Sequence, residues 1–159
     1  MLKPTAAVAV SFIVMVFSLP LSFSAFANVA HSETATGMVE AAIHAICDGD
    51  KARHLSLHQR KIEPDPYYDE KFAAFHRACN EHGIENIDIQ SDLDDTQMQA
   101  QKRRYHIHAN IVMGDGAVYA TTFRVMWGAM QAPEDSRSVE AWRLGGISRV
   151  EVPILRETD

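Results

Sequence analysis

The sequence predicts an α+β domain in which three N-terminal helices pack on an antiparallel sheet of four to five strands. Three observations carry that expectation. The stretch RRYHIHANIVMGDGAVYATTFRVMW, residues 103–127, alternates apolar and polar residues on both sides of Gly114-Asp115-Gly116, the pattern of a long hairpin. Upstream of it, Tyr68, Phe72, Phe75 and Cys79 recur at i, i+4, i+7 and i+11, the stripe of a helix with one buried face. Glycine, proline and aspartate collect between these segments. The 159 residues, 47% hydrophobic and 23% charged, suit one folded domain and exclude wholesale disorder.

The first 27 residues are of another kind. MLKPTAAVAVSFIVMVFSLPLSFSAFA has one early cation, Lys3, an apolar run from Ala6 to Phe17, a breaker at Pro20 and the small-residue site Ala25-Phe26-Ala27. This is a signal-peptide pattern with cleavage after Ala27. The alternative is an uncleaved anchor, but the run is short of the roughly 20 residues that a span needs. The expectation is a periplasmic or secreted protein with no stable membrane anchor after cleavage. Residues 28–36 read as a mobile mature N-terminus, 37–155 as a single domain and 156–159 as a polar tail.

Helix one is expected from Gly37 to Asp48, capped by Thr36, with Val39, Ile43, Ile46 and Cys47 on one face and Gly49 as its left-handed stop. Asp50 then caps a second helix ending near Arg60. Its apolar content is thin, Ala52, Leu55 and Leu57, which reads as a surface helix. Asp65 as cap and Pro66 at the first helical position start helix three, which Gly83 ends.

Export places Cys47 and Cys79 in an oxidising compartment, where an even pair forms a disulfide. Both fall near the ends of predicted helices, so the bond would tie helix one to helix three. The less economical reading is a Cys-His nucleophile, since His44 and His76 each lie one turn before a cysteine.

Ile84–Gln90 alternates about Ile87 and Ile89 as a first strand. Ser91–Thr96, with three aspartates, reads as a turn, and pairing resumes near Met98. In the hairpin a three-residue loop pairs Ile111 with Tyr119, Ala109 with Thr121, Ile107 with Phe123 and Tyr105 with Val125, leaving one apolar face. The other face then holds Asn110 with Ala120, His108 with Thr122 and His106 with Arg124. A two-residue loop would mix charged and apolar residues on both faces, so the three-residue loop with Gly116 left-handed is preferred. Gln131–Arg137 is loop chemistry, Val139–Leu144 a fourth strand carrying Trp142, and Ile147–Ile154 a last extended segment.

A net charge of −6 and no basic run longer than Lys102-Arg103-Arg104 exclude a nucleic-acid binder. No phosphate-binding loop, dinucleotide fingerprint or nucleophile elbow occurs. Two local motifs remain. On a strand the imidazoles of His106 and His108 share a face and would reach one metal if a third ligand joined them. Arg124 opposite His106 opposes that, and the plain alternative is two histidines on a solvated face. His54 and His58, spaced i, i+4 on helix two, could also chelate a metal but lack the glutamate of a zinc-protease motif, and the plain alternative is an exposed helix.

The order of three helices and then antiparallel strands, the junction Asp48-Gly49-Asp50, and Trp142-Arg143-Leu144 followed by Gly146-Ile147 resemble the nuclear-transport-factor-2-like superfamily. The resemblance spans roughly residues 37–152. It implies a curved, cone-shaped sheet wrapped around helices one and three, with a pocket between, and no single function. Members with isomerase chemistry use a carboxylate base inside the cone. The inward face here offers hydroxyls but no Asp, Glu or His, and Asp88 points away from Ile87 and Ile89.

The expected function is therefore an exported accessory or binding module, non-enzymatic and without a cofactor. It would take a protein partner or a small apolar ligand held by Tyr105, Ile107, Tyr119, Phe123, Trp127 and Trp142. The plain alternative for those aromatics is core. A homodimer through the polar sheet face is a variant. The competing classes are a cofactor-independent isomerase or dehydratase, which would show a buried carboxylate or histidine with a displaced pKa, and metal binding at His106 and His108.

Overall fold

The computed structural model describes residues 32–58, 66–101, 103–129, 140–145 and 150–156. The expected signal peptide, the 131–137 loop and Asp65 lie outside the described residues. The start expected for helix three is corrected: Pro66 sits in a turn and not at the first helical position, and the helix begins at Tyr68 with Tyr67 as its N-cap and no side-chain cap bond. The molecule is α+β, with a five-stranded antiparallel sheet in the order β1 (Ile84–Gln90), β2 (Arg104–Met113), β3 (Val118–Ala129), β4 (Glu140–Leu144), and a two-residue β5 (Ile154–Leu155) that also pairs with β3. Four helices accompany it: α1 (Ala35–Cys47), α2 (Lys51–Ser56), α3 (Tyr68–His82) and α4 (Asp95–Gln101).

Helix α1 is the central element. It starts two residues earlier than the sequence suggested, because Thr34 and not Thr36 is its cap. Thr34 is extended, and its hydroxyl accepts the Gly37 N–H at 3.0 Å. The freed N–H of Ala35 donates to the Asp95 carboxylate at 2.8 Å, so α4 supplies a second cap. Met38, Val39, Ala42, Ile43 and Ile46 of α1 are fully buried against the sheet and α3.

The α1–α2 junction is as tight as its composition implies. Gly49 has φ 73°, and a Cβ there would meet the His76 ring at 2.9 Å. His76 Nδ1 lies 2.8 Å from the Cys47 carbonyl oxygen. Asp50 accepts the Arg53 N–H at 2.8 Å and caps α2. Cys47 and Cys79 are disulfide-bonded and join α1 to α3, so neither thiol is available as a nucleophile.

Two further elements depart from the sequence expectation. The stretch after β1 is not a simple turn leading to a strand. Asp94 accepts the Gln97 N–H at 2.8 Å while its own N–H donates to the Gln97 side chain at 3.3 Å. That reciprocal capping box starts α4, whose Met98 enters the core. Helix α2 ends at Ser56 instead of near Arg60. Beyond it Leu57 and His58 run beside β4: the Leu57 carbonyl accepts the Leu144 N–H at 3.0 Å, and His58 forms a parallel bridge with Leu144.

The hairpin follows the expected register, with Ile111 on Tyr119, Ile107 on Phe123, Tyr105 on Val125, His108 on Thr122 and His106 on Arg124. Met113 and Ala117 close the three-residue loop, and Gly116 sits at φ 86°. The inner face of β2 is buried throughout: Tyr105, Ile107, Ala109, Ile111 and Met113. Each fully buried isoleucine or phenylalanine of this layer contributes about 2 kcal/mol of transfer free energy.

Candidate functional site

The residues expected to hold an apolar ligand divide by position. Ile107, Phe123 and Trp142 are fully buried in the packed core, and Tyr105 is buried beside them. Tyr119 packs on Phe75 with ring centroids 5.2 Å apart, and Trp127 meets Trp142 edge-on at 5.4 Å. This set holds helices to sheet. Two clefts among the described residues open toward the other side of the hairpin, and of the expected ligand residues Tyr105 alone lines one of these two.

The larger cleft encloses about 700 Å³ and is lined by Gln90, His108, Asn110, Ala120, Thr122 and the β5 segment Ile154-Leu155-Arg156, among others. The smaller, about 530 Å³, is lined by Ser91, Asp92, Leu93 and by Arg103, Arg104, Tyr105, His106 and His108. His108 lines both, so the two adjoin along the outer face of β2 and together form the trough considered below. Alternation places Arg104, His106, His108 and Asn110 on that face. All but the half-buried Asn110 are exposed. Ile154 and Leu155, each 55% exposed, form its apolar lip.

The polar groups of this face are partly pre-ordered. His108 Nδ1 lies 2.8 Å from the Thr122 hydroxyl. Arg124 is bridged to Glu151 at 3.0 Å. Desolvation raises the Glu151 carboxyl above its ordinary range, and Arg124 holds it partly back. The charge that opposes a metal at His106 is thus itself neutralised. Among the described residues, no group of three or more His, Cys, Asp or Glu side chains is arranged to hold a metal ion.

A second cluster lay unrecognised in the sequence. His54 and His58, read as exposed, are 0% and 4% exposed. His54 Nδ1 shares a hydrogen bond with the Tyr68 hydroxyl at 3.0 Å, and their rings stack. The two imidazoles lie edge to face, 5.6 Å apart. Burial, aided by the proximity of His58, pushes His54 down to about 3. Burial also lowers His58. Both are neutral at pH 7. Burial and then Asp69 raise the Tyr68 phenol. The signal was there in part: His54, Leu57 and His58 stand at i, i+3 and i+4, one stripe of a helix, and histidine can occupy such a stripe when neutral. Neither cleft is lined by His54 or His58.

What the arrangement offers is therefore a solvent-facing trough of hydrogen-bond donors and cations, and a sealed neutral His-Tyr pair. Set against known proteins, the chain matches no family model, no curated protein and no solved structure.

Proposed function

We propose that this chain is an exported, non-enzymatic accessory module of the nuclear-transport-factor-2-like fold, with three N-terminal helices on a curved, cone-shaped sheet, that binds a protein partner through the sheet's outer face. The observation that carries the reading is the pair of adjoining clefts over β2, open to solvent, while the inner-face aromatics other than Tyr105 are engaged in packing alone. The signal-peptide pattern of residues 1–27 supports a periplasmic or secreted location, and the Cys47–Cys79 bond suits such an oxidising compartment. A surface concavity with few buried reactive groups suits recognition better than catalysis.

A photo-crosslinking amino acid placed at His106 or Asn110, against a control at exposed Glu70 on α3, tests this in the cells that produce the protein. The expected result is an adduct of defined mass from positions 106 and 110 and none from 70. An adduct at twice the chain's mass identifies the homodimer variant. Adducts from all three positions alike, or from none, overturn the reading.

A cofactor-independent isomerase or dehydratase is the second reading. The buried, neutral His54 beside Tyr68 favours it. It ranks second because neither cleft reaches that pair.

A further inference from the structure

The trough carries a charge opposite to that of the chain. The protein has 21 acidic and 15 basic residues, yet among the described residues that line the trough, Arg103, Arg104 and Arg156 stand against Asp92. Two further carboxylates lie on this face, one hydrogen-bonded to a neutral amide and one paired with a cation. Asp88, in register with Asn110, accepts the Gln90 side-chain N–H at 2.7 Å, and Glu151 is held by Arg124. Among the described residues no ion pair ties down Arg103, Arg104 or Arg156; Arg103 lies over the Tyr105 ring. Three guanidinium groups held open attract an anionic partner, whereas two copies of the trough set face to face would repel each other.

The spacing narrows the shape of that partner. Arg104, His106 and His108 stand at alternate positions of one strand, about 6.7 Å apart. An extended peptide lying along the strand presents its alternate side chains at the same repeat. A helix or a compact anion does not match it over three positions.

We propose that the trough binds an extended acidic segment of a partner protein, with carboxylates at alternate residues meeting Arg104, His106 and His108, and Arg156 flanking the larger cleft. The inference rests on the binding-module reading above and names its partner chemistry.

The test uses the purified, disulfide-intact protein and fluorescence anisotropy at low and physiological salt. The probes are a labelled six-residue Glu-Thr repeat, a peptide of the same composition with its three glutamates contiguous, and a heparin oligosaccharide. The alternating peptide should bind about tenfold more tightly than the contiguous one, and weaken as salt rises. The variant Arg104→Gln should weaken it about tenfold, and Arg156→Gln by less, with unchanged far-ultraviolet circular dichroism for both. Equal affinity for the two peptides, tighter binding of heparin, or indifference to Arg104→Gln overturns the proposal. If the peptides fail while outer-face crosslinks form in cells, the partner chemistry is wrong and the module reading stands.

Discussion

Two histidine pairs in the molecule have opposite fates. His54 on α2 and His58 just past its end are shut away beneath β4 and α3, neutral, with the Tyr68 hydroxyl bonded to His54. His106 and His108 on β2 face solvent and line the trough. Spacing determines that two side chains share a face. What docks over that face determines whether they meet water. The Leu57–Leu144 bond brings β4 across the first pair, whereas the outer face of β2 carries no covering element among the described residues. The first pair is a structural commitment that acid can attack. The second is free to act on a partner.

Perturbations of the two sides sharpen this contrast. The largest effect is expected at the disulfide that ties α1 to α3. Replacing both cysteines, Cys47→Ser with Cys79→Ser, opens a loop with a sequence separation of 32. It should cost about 3–4 kcal/mol in urea unfolding by the chain-entropy relation. A loss below about 1 kcal/mol would mean that α1 and α3 hold each other without the bond.

Acid comes next. A histidine whose folded pKa is depressed is charged first in the unfolded chain. Its stabilising contribution is therefore whole above about pH 6.5 and lost as pH falls toward the folded value. For His54, held down to about 3, the slope is about 1.4 kcal/mol per pH unit, or about 2 kcal/mol by pH 5. His58 adds in the same direction. The urea midpoint at pH 7, 6 and 5 measures this, and His54→Gln should flatten the curve. A flat wild-type curve would mean that water reaches the pair.

Tyr68→Phe removes the hydroxyl and leaves His54 Nδ1 buried without a partner, at a cost of about 1–2 kcal/mol in thermal melts. The smallest effect belongs to the solvated pair. His106→Ala with His108→Ala should leave stability within about 0.5 kcal/mol while weakening the alternating acidic peptide. A strongly destabilised double variant would show that the trough is structural after all.

How far the sequence foretold this also divides along the two regions. The hairpin was legible to the residue because its period is two, and a one-residue slip would have exposed Ile107 and Phe123. The helix junction was legible because Gly49 and Asp50 have local jobs. Helix α2 was not, because its environment is made by β4, which lies far along the chain, and the His54–Leu57–His58 stripe was the one trace of that cover in a polar composition. Helix α4 was obscured by the aspartates that start it: Asp94 serves turns and caps alike, and Gln97 decided between them. The trough was half legible. Its face was readable from alternation, but its walls from β5 and the β1–α4 connection were not.

The bond between Leu57 and Leu144 has a temporal meaning. It joins the second helix to the fourth strand, so a very long stretch of chain must be ordered before the two can meet, and closing such a stretch is entropically slow. This seam should be among the last parts to assemble. Leu144→Ala should then steepen escape from the native state while leaving the folding limb of the chevron almost unchanged. The histidines sealed beneath the seam would be the last groups to lose water, making their protection from exchange a clock for the end of folding.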